Sequence, residues 1–572
     1  MQPKPYCDLI MKGGITSGVA YPGAVLKLRE KYDFAAIGGA SAGAIAAGMT
    51  AAAQYAPDGA GFTRLDDLRT ELRQPGLLLR LFRATKETRP LLALLTAVTG
   101  PPRRRAAGVA RVIGRLWLPL LIWLSAGFAL TAMLLGHAGA TWESMTWVSA
   151  VVLGVLLTGV ALVAFAVVVA LRLGRAVTAY LPSSFYGMCL GVTENDADGS
   201  GPALTEWLHE WTQRVAGRPG HRPLTFDELA AAGVELQLIT TDVSLGRPVR
   251  FSRTDPVGRG YHFDVDEFRS LFPPPIVEHL VRTAEPRPAG DDRLLYPLPA
   301  GELPIVVAVR MSLSFPVLLA AIPLWTFEAD GRPVRHWISD GGITSNFPIH
   351  YFDSWVPARP TFGLNLVPTQ QRHSDPADDV TMYPDAPPAP RVVPITSLPG
   401  FLRQIVATMQ NWRDTLQAEL TGFHDRIAHI GLDPGEGGLN IAMDTATIDR
   451  IGRKGEHAGE TLRDRFDWDR HQSQRYEIFM GLLQDGLSPG AEAADRRLRT
   501  FRDSWESGLN KRFAALAADG SAWHAAAAEA TDRLLAEADE WLGPLDGAAG
   551  RRSFRPQTPL MPPAGMRITP DV

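Results

Sequence analysis

Three short stretches of this 572-residue chain carry residue types that could do chemistry together. The first is Gly39-Ala40-Ser41-Ala42-Gly43. This is a G-x-S-x-G pattern, in which a serine can stand on a sharp strand-to-helix turn. Gly39 and Gly43 let the backbone bend tightly and keep side chains clear of the hydroxyl. A serine at a helix N-terminus also has partial positive charge beside it, which favours a developing oxyanion. The second stretch is the loop Lys12-Gly13-Gly14-Ile15-Thr16-Ser17-Gly18. It has neither the dinucleotide spacing G-x-G-x-x-G nor the P-loop spacing G-x-x-x-x-G-K-[ST]. Backbone N–H groups aimed at a substrate carbonyl oxygen are its preferred use. The third stretch is Asp340-Gly341-Gly342. A serine hydroxyl is a weak nucleophile and needs a base. The later histidines, His336 and His350 included, lie in no evident catalytic setting, so a carboxylate acting directly is the alternative base.

Those residues need elements to hold them. Cys7 to Met11 reads as a strand, Pro22 to Lys31 as a helix, Phe34 to Ile37 as a short buried strand and Ala44 to Ala53 as an alanine-rich helix. Strand, glycine loop, helix, strand, turn, helix is the rhythm of an α/β sheet protein. Further on, Val234 to Thr240 alternates as a strand and runs into the turn Thr241 to Pro248. There Asp242 is either catalytic or a turn cap, the neighbouring Ser and Gly favouring the cap. Val306 to Pro316 reads as strand or helix ending in a serine-rich turn. Trp337 to Ile343 is a strand that ends at Asp340-Gly341-Gly342, and Thr361 to Val367 is another strand. Gln370 to Pro394 reads as loop or linker. Leu402 to Ile430 and Ala491 to Leu542 read as helical, and the tail from Arg551 as loose.

A net charge of −4 gives no global case for nucleic-acid binding. Cys7 and Cys189 cannot make a disulfide framework, and neither has metal-type spacing. Arg73, Arg80, Arg83, Lys86 and Arg89 stand among leucines, an amphipathic pattern whose apolar faces could also lie on anionic lipid. Leu116 to Gly136 and Ser144 to Leu171 carry no charge, and each exceeds the roughly 30 Å hydrocarbon core at 1.5 Å per residue. Trp117, Trp142 and Trp147 sit near the span ends. Arginines flank only the outer ends, among them Arg111, Arg115, Arg172 and Arg175. Residues 106–175 are therefore expected to form a transmembrane hairpin with both ends cytoplasmic, in a bacterial inner membrane.

Taken together, the loop at 13–18, the Ser41 pentapeptide and Asp340-Gly341-Gly342 resemble the patatin-like phospholipases. Thr241 to Val249 and Arg310-Met311-Ser312-Leu313-Ser314-Phe315-Pro316 add to the match, in the family's order, over residues 6–55 and 180–370. The resemblance implies a three-layer α/β/α fold and a Ser–Asp dyad acyl hydrolase that uses no metal, cofactor or histidine. Ser41 would be the nucleophile and Asp340 the base. The N–H groups of Gly13, Gly14 and Ile15, with Ala42, would form the oxyanion hole. Gly18, Gly39, Gly43, Gly341 and Gly342 are the motif glycines. Ile15 and Ser17 stand where many relatives have a third glycine and a basic residue.

The expected organisation is a catalytic domain at 1–105 and 176–370, the hairpin at 106–175, and a linker with a mainly helical region at 371–572. The expected activity is hydrolysis of phospholipid or lysophospholipid esters beside a lipid bilayer, with no nucleic acid and no protein partner named by the sequence. A thioesterase or neutral-lipid esterase with the same dyad, or an inactive membrane scaffold, are the alternatives.

Overall fold

The computed structural model describes residues 3–99, Ser125, a discontinuous set between 159 and 180, residues 181–193, and 201–541 with short interruptions, the longest at 488–500. In chain order the strands are β1 Tyr6–Met11, β2 Asp33–Ala40, β3 Gly187–Cys189, β4 Glu235–Asp242, β5 Arg247–Phe251, β6 His262–Asp264 and β7 Arg287–Pro288. They continue with β8 Leu294–Pro297, β9 Val317–Leu319, β10 Ile322–Phe327, β11 Pro333–Ser339, β12 Thr361–Pro368, β13 Val380–Thr381 and β14 Ile427–Leu432. Twelve of them make one sheet, in the order β13-β14-β12-β1-β2-β4-β11-β10-β6-β8-β7 with β5 beside β4, and β3 pairs β9 separately.

The strands β14, β12, β1, β2 and β4 run parallel in succession. A parallel block must be covered on both faces, and its inner strands β1, β2 and β12 are largely apolar, whereas β4 alternates. Cys7, Leu9, Ile10 and Met11 of β1 and Phe362 and Leu364 of β12 are accordingly buried. From β11 onward the sheet turns antiparallel. Three helices set the site: α1 Tyr21–Arg29, α2 Ala42–Tyr55 and α3 Gly61–Leu72. The segment read as strand or helix is the helix Ile305–Ser312.

The sheet does not end at residue 370. Leu402 to Ile430 was expected to be helical throughout, but the helix Leu398–Ala418 gives way to β14. Ile427 to Leu432 is a short, mostly apolar run interrupted by His429, with no clear period of its own, and pairing with β12 decides its conformation. The helix Thr445–Arg465 then packs against the start of the chain. It lies so close that a Cβ on Gly455 would come within 1.9 Å of the Ala20 carbonyl oxygen.

Two expectations are corrected. Among the described residues no helix is long and apolar enough to cross a membrane, which overturns the transmembrane hairpin and the two-span inner-membrane placement. Most of 106–175 lies outside the described residues. Length without charge is a condition for spanning and does not by itself require it. In the leucine-rich stretch Leu79 and Leu94 are exposed, while other leucines face inward as in an ordinary amphipathic helix. Leu65, Leu68, Leu72 and Leu81 are buried in the protein. The architecture is mixed α/β around one large sheet; the tail from Arg551 lies outside the described residues.

Candidate active site

Ser41 follows β2 and caps α2 with φ +53° and ψ −127°. A positive φ costs a non-glycine residue of order 1–3 kcal/mol and persists only where the surroundings impose it. Two glycines make the turn possible. A Cβ on Gly39 would meet the Gly43 carbonyl group at 2.5 Å, and one on Gly43 would meet the Met11 carbonyl oxygen at 2.1 Å. The Ser41 N–H donates to Ser312 Oγ at 3.0 Å, and Ser312 Oγ donates to Ile239 C=O at 2.6 Å. The serine side chain makes no capping bond to its own helix.

Asp340 follows β11 and lies beside Ser41, both residues being 3 % exposed. Its backbone is held at both ends. The Asp340 N–H donates to Ser314 C=O at 3.0 Å, and Thr241 Oγ1 donates to Asp340 C=O at 2.9 Å. Its Oδ1 accepts the Gly342 N–H at 2.7 Å. Its Oδ2 is buried with no hydrogen bond of full geometry among the described residues. Burial raises the Asp340 carboxyl to about 7, against the opposing pull of the nearby Ser41 hydroxyl and the Gly342 N–H. Nucleophile–base contacts of this kind are commonly loose before substrate binds.

The glycine loop abuts both residues. A Cβ on Gly13 would meet Asn346 Oδ1 at 2.1 Å and Ser41 Cβ at 2.8 Å. The Gly13 N–H, expected in the oxyanion hole, donates to Asn346 C=O at 2.9 Å and is therefore occupied. Gly14 and Ala42 remain, with no acceptor for their N–H groups among the described residues. Ala42 opens α2, so the positive end of the helix points at the same place. Ile15 takes φ +35° and pairs with Gly438 in a β-bridge. Gly18 lies against Ala42, and a Cβ on Gly341 would strike the Ile239 carbonyl oxygen at 2.2 Å.

A pocket of about 750 Å³, counting its open mouth, is lined in part by Ala42, the residue after Ser41. It is almost wholly apolar and is lined by residues such as Ile15, Ala42, Ile45, Ala46, Leu68 and Trp207. Among the described residues no group of His, Cys, Asp and Glu is arranged to hold a metal ion.

Asp242 is a turn cap. Its Oδ1 accepts the Leu245 N–H at 3.0 Å, and its Oδ2 accepts the Tyr261 hydroxyl at 2.8 Å and pairs with His336 Nδ1 at 2.7 Å. Sequence reasoning missed several supports. Ser312 and Ser314 stood in the quoted Arg310–Pro316 segment without a role. Arg310, fully buried, holds Ser314 Oγ at 2.6 Å and the carbonyls of Leu190 and Ala320 at 3.1 Å. Asp414, on the helix Leu398–Ala418, accepts the N–H groups of Asn346 and Phe347 at 2.6 and 2.8 Å. No motif marks Asp414, which is 68 residues away from Asn346 in the chain.

No family model matches the chain. It is 32% identical to the RpoH suppressor of Rhizobium meliloti (strain 1021) over 633 aligned positions, spanning 95% of this chain and 96% of that protein. The chain belongs to the RpoH-suppressor family. Identity across nearly both whole lengths means that the relationship takes in the C-terminal region as well as the motif-bearing half. Among solved structures, VipD from Legionella pneumophila aligns over 90% of this chain and 80% of that chain, at 14% identity and a TM-score of 0.29. A score that low does not establish a common fold.

Proposed function

We propose that this member of the RpoH-suppressor family is a patatin-like serine acyl hydrolase that cleaves fatty-acyl esters of phospholipid or lysophospholipid. The observation that carries the reading is a strained, buried serine at a strand–helix elbow, its hydroxyl near a buried carboxyl group whose Oδ2 has no hydrogen bond of full geometry among the described residues. Ser41 Oγ attacks the ester carbonyl carbon while Asp340 accepts its proton. The carbonyl oxygen, now an oxyanion, is met by the Gly14 and Ala42 N–H groups and the N-terminal end of α2. Collapse of the tetrahedral species expels the alcohol, which takes the proton from Asp340 and leaves an acyl-serine. Asp340 then deprotonates water to hydrolyse that intermediate. A carboxyl group shifted to about 7 is well matched to taking and returning a proton near neutral pH. The apolar pocket that Ala42 and Ile15 line suits a fatty-acyl chain.

Labelling with a fluorophosphonate tests the reading. The parent chain should incorporate the probe at Ser41, and Ser41→Ala should not. A folded parent that resists the probe and turns over no acyl ester would sink the proposal.

A further inference from the structure

The sheet is not the only support of the loop facing Ser41. A segment from the far end of the chain, around Gly437 and Gly438, runs across it. Ile15 bridges to Gly438, and Thr16 Oγ1 donates to Gly438 C=O at 2.9 Å. Gly437 (φ +88°) lies so near Ser17 that a Cβ there would come within 2.5 Å of Ser17 Cβ. Ser17 in turn bonds back to Gly14, its N–H donating to Gly14 C=O at 2.8 Å and its Oγ at 2.5 Å. Ile15 is β-branched and holds φ +35°, a conformation such a residue keeps only under constraint. The crossing segment supplies a constraint at that residue.

Buried charge fixes the segment. Glu436 immediately precedes Gly437, and its Oε1 accepts from Arg450 Nε at 3.1 Å. Its Oε2 accepts from Lys454 Nζ and from the Asp433 N–H, the latter at 3.0 Å. Lys454 is fully buried and also reaches Gly431 C=O at 2.7 Å and Asp379 at 2.9 Å. Arg450 pairs with Asp379 at 2.7 Å. Both cations stand on the helix Thr445–Arg465, the one that packs at backbone distance against Ala20. Ion pairs desolvated to this degree add little net stability but resist rearrangement, because separating them strands a buried charge.

We propose that Glu436 is a positioning residue for the hydrolytic site. Tied to Lys454 and Arg450, it presses Gly437–Gly438 onto Ile15–Ser17 and so keeps the Gly14 N–H aimed at the carbonyl oxygen over Ser41. The inference rests on the acyl-hydrolase reading. It adds that the oxyanion donor is set by residues some 420 positions further along the chain, as the separation of Thr16 and Gly438 by 422 shows.

The test uses the full chain with a short-chain soluble ester, active sites being counted by complete fluorophosphonate labelling. Outright loss of an oxyanion donor costs about 10²–10³ in rate. A displaced donor costs part of that, so Glu436→Gln should lower kcat per labelled site about 10-fold with KM within about 2-fold. Thr16→Val removes the loop's own bond to Gly438 without touching the ion cluster and should lower kcat about 3-fold in the same way. It decides the matter alone if Glu436→Gln does not fold. Glu436→Asp, which keeps the charge, should recover part of the lost kcat. Parental kcat per site in Thr16→Val and in every Glu436 variant that folds overturns the inference while leaving the hydrolase reading intact. A parent that neither labels nor turns over sinks both.

Discussion

Two buried polar centres in this molecule are built on opposite principles. Around Lys454, the carboxylates of Asp379, Asp433 and Glu436 face two cations within 4 Å. Burial alone would push Asp379 up, but hydrogen bonds from Lys454 and His373 and the Lys454 and Arg450 charges outweigh it and hold the carboxyl below its ordinary range. Among the described residues Asp340 has no salt-bridge partner and its Oδ2 has no hydrogen bond of full geometry, and its carboxyl is raised to about 7. The first centre sets two cations against its three carboxylates and holds backbone in place, although burial and Glu436 still raise the Asp433 carboxyl. The second is short of partners, which suits its carboxyl to the base role proposed for it. A buried acid thus becomes structural or chemical according to what surrounds it.

The comparison breaks most visibly at the unpaired centre. Ser41→Ala and Asp340→Asn should each lower kcat on a soluble ester by about 10⁴ or more, and the double variant should be little worse than either. Both should fold, as circular dichroism and gel filtration would show. Additive losses would mean that the two residues do not act as one unit. The next largest effect belongs to the paired centre and appears in stability. Lys454→Met leaves three carboxylates facing one arginine and should cost about 3–5 kcal/mol, measured by denaturant unfolding. A variant as stable as the parent would mean that the cluster is not a structural keystone.

How much of this was legible follows the same division. The motif residues at 13–18, 39–43 and 340–342 announce themselves because tight turns admit few residue types. A Cβ at Gly43 or Gly341 would strike backbone, and the sequence records that as glycine. The strands around them were read close to their positions, from Cys7–Met11 against Tyr6–Met11 to Thr361–Val367 against Thr361–Pro368. The ion cluster has no such signature. Asp379, Glu436 and Lys454 look like any surface charges until the fold buries them. β14 was missed because a six-residue, mostly apolar run after a helix shows no period that separates strand from helix. The occupied Gly13 N–H was out of reach too, since Asn346 lies 333 residues away.

A third test sharpens the contrast through pH. With its carboxyl raised to about 7, Asp340 is mostly protonated below that value and cannot accept the serine proton. The kcat on a soluble ester should therefore rise through about pH 7 with a single proton lost, and level off above it. Stability runs the other way. The folded state holds this proton more tightly than the unfolded state, so ionising Asp340 costs the fold. The penalty grows as pH climbs from the ordinary carboxylate range and is complete above about 7. Asp340→Asn removes it, so the variant's melting midpoint should exceed the parent's by more at pH 8 than at pH 5. An equal offset at both values would mean that the carboxyl is not raised.

The smallest expected effect concerns the histidine nearest in sequence to Asp340. His336 is buried on β11, its Nδ1 2.7 Å from Asp242 Oδ2 and its Nε2 2.8 Å from Thr326 Oγ1. On paper this hydroxyl–imidazole–carboxylate chain is a relay, and it invites assignment as the base. Geometry argues otherwise. Four positions of chain separate His336 from Asp340, about 13 Å at 3.3 Å per residue, whereas a general base must stand about 2.6–3.2 Å from the oxygen whose proton it takes. Both ring nitrogens are already engaged, and Asp242 is further held by the Tyr261 hydroxyl at 2.8 Å. The chain is thus a satisfied polar network, akin to the Lys454 cluster rather than to Asp340. His336→Gln should keep kcat within about 2-fold and leave the pH midpoint unmoved, while costing about 1–3 kcal/mol of stability through the weakened hydrogen bonding of the buried Asp242 carboxylate, whose Oδ2 keeps the Tyr261 hydroxyl. Steady-state kinetics across pH, paired with an unfolding curve, separates the cases. Loss of kcat by orders of magnitude in a folded His336→Gln would transfer the base from the unpaired centre to a paired one, and the division between the two kinds of buried acid would fall with it.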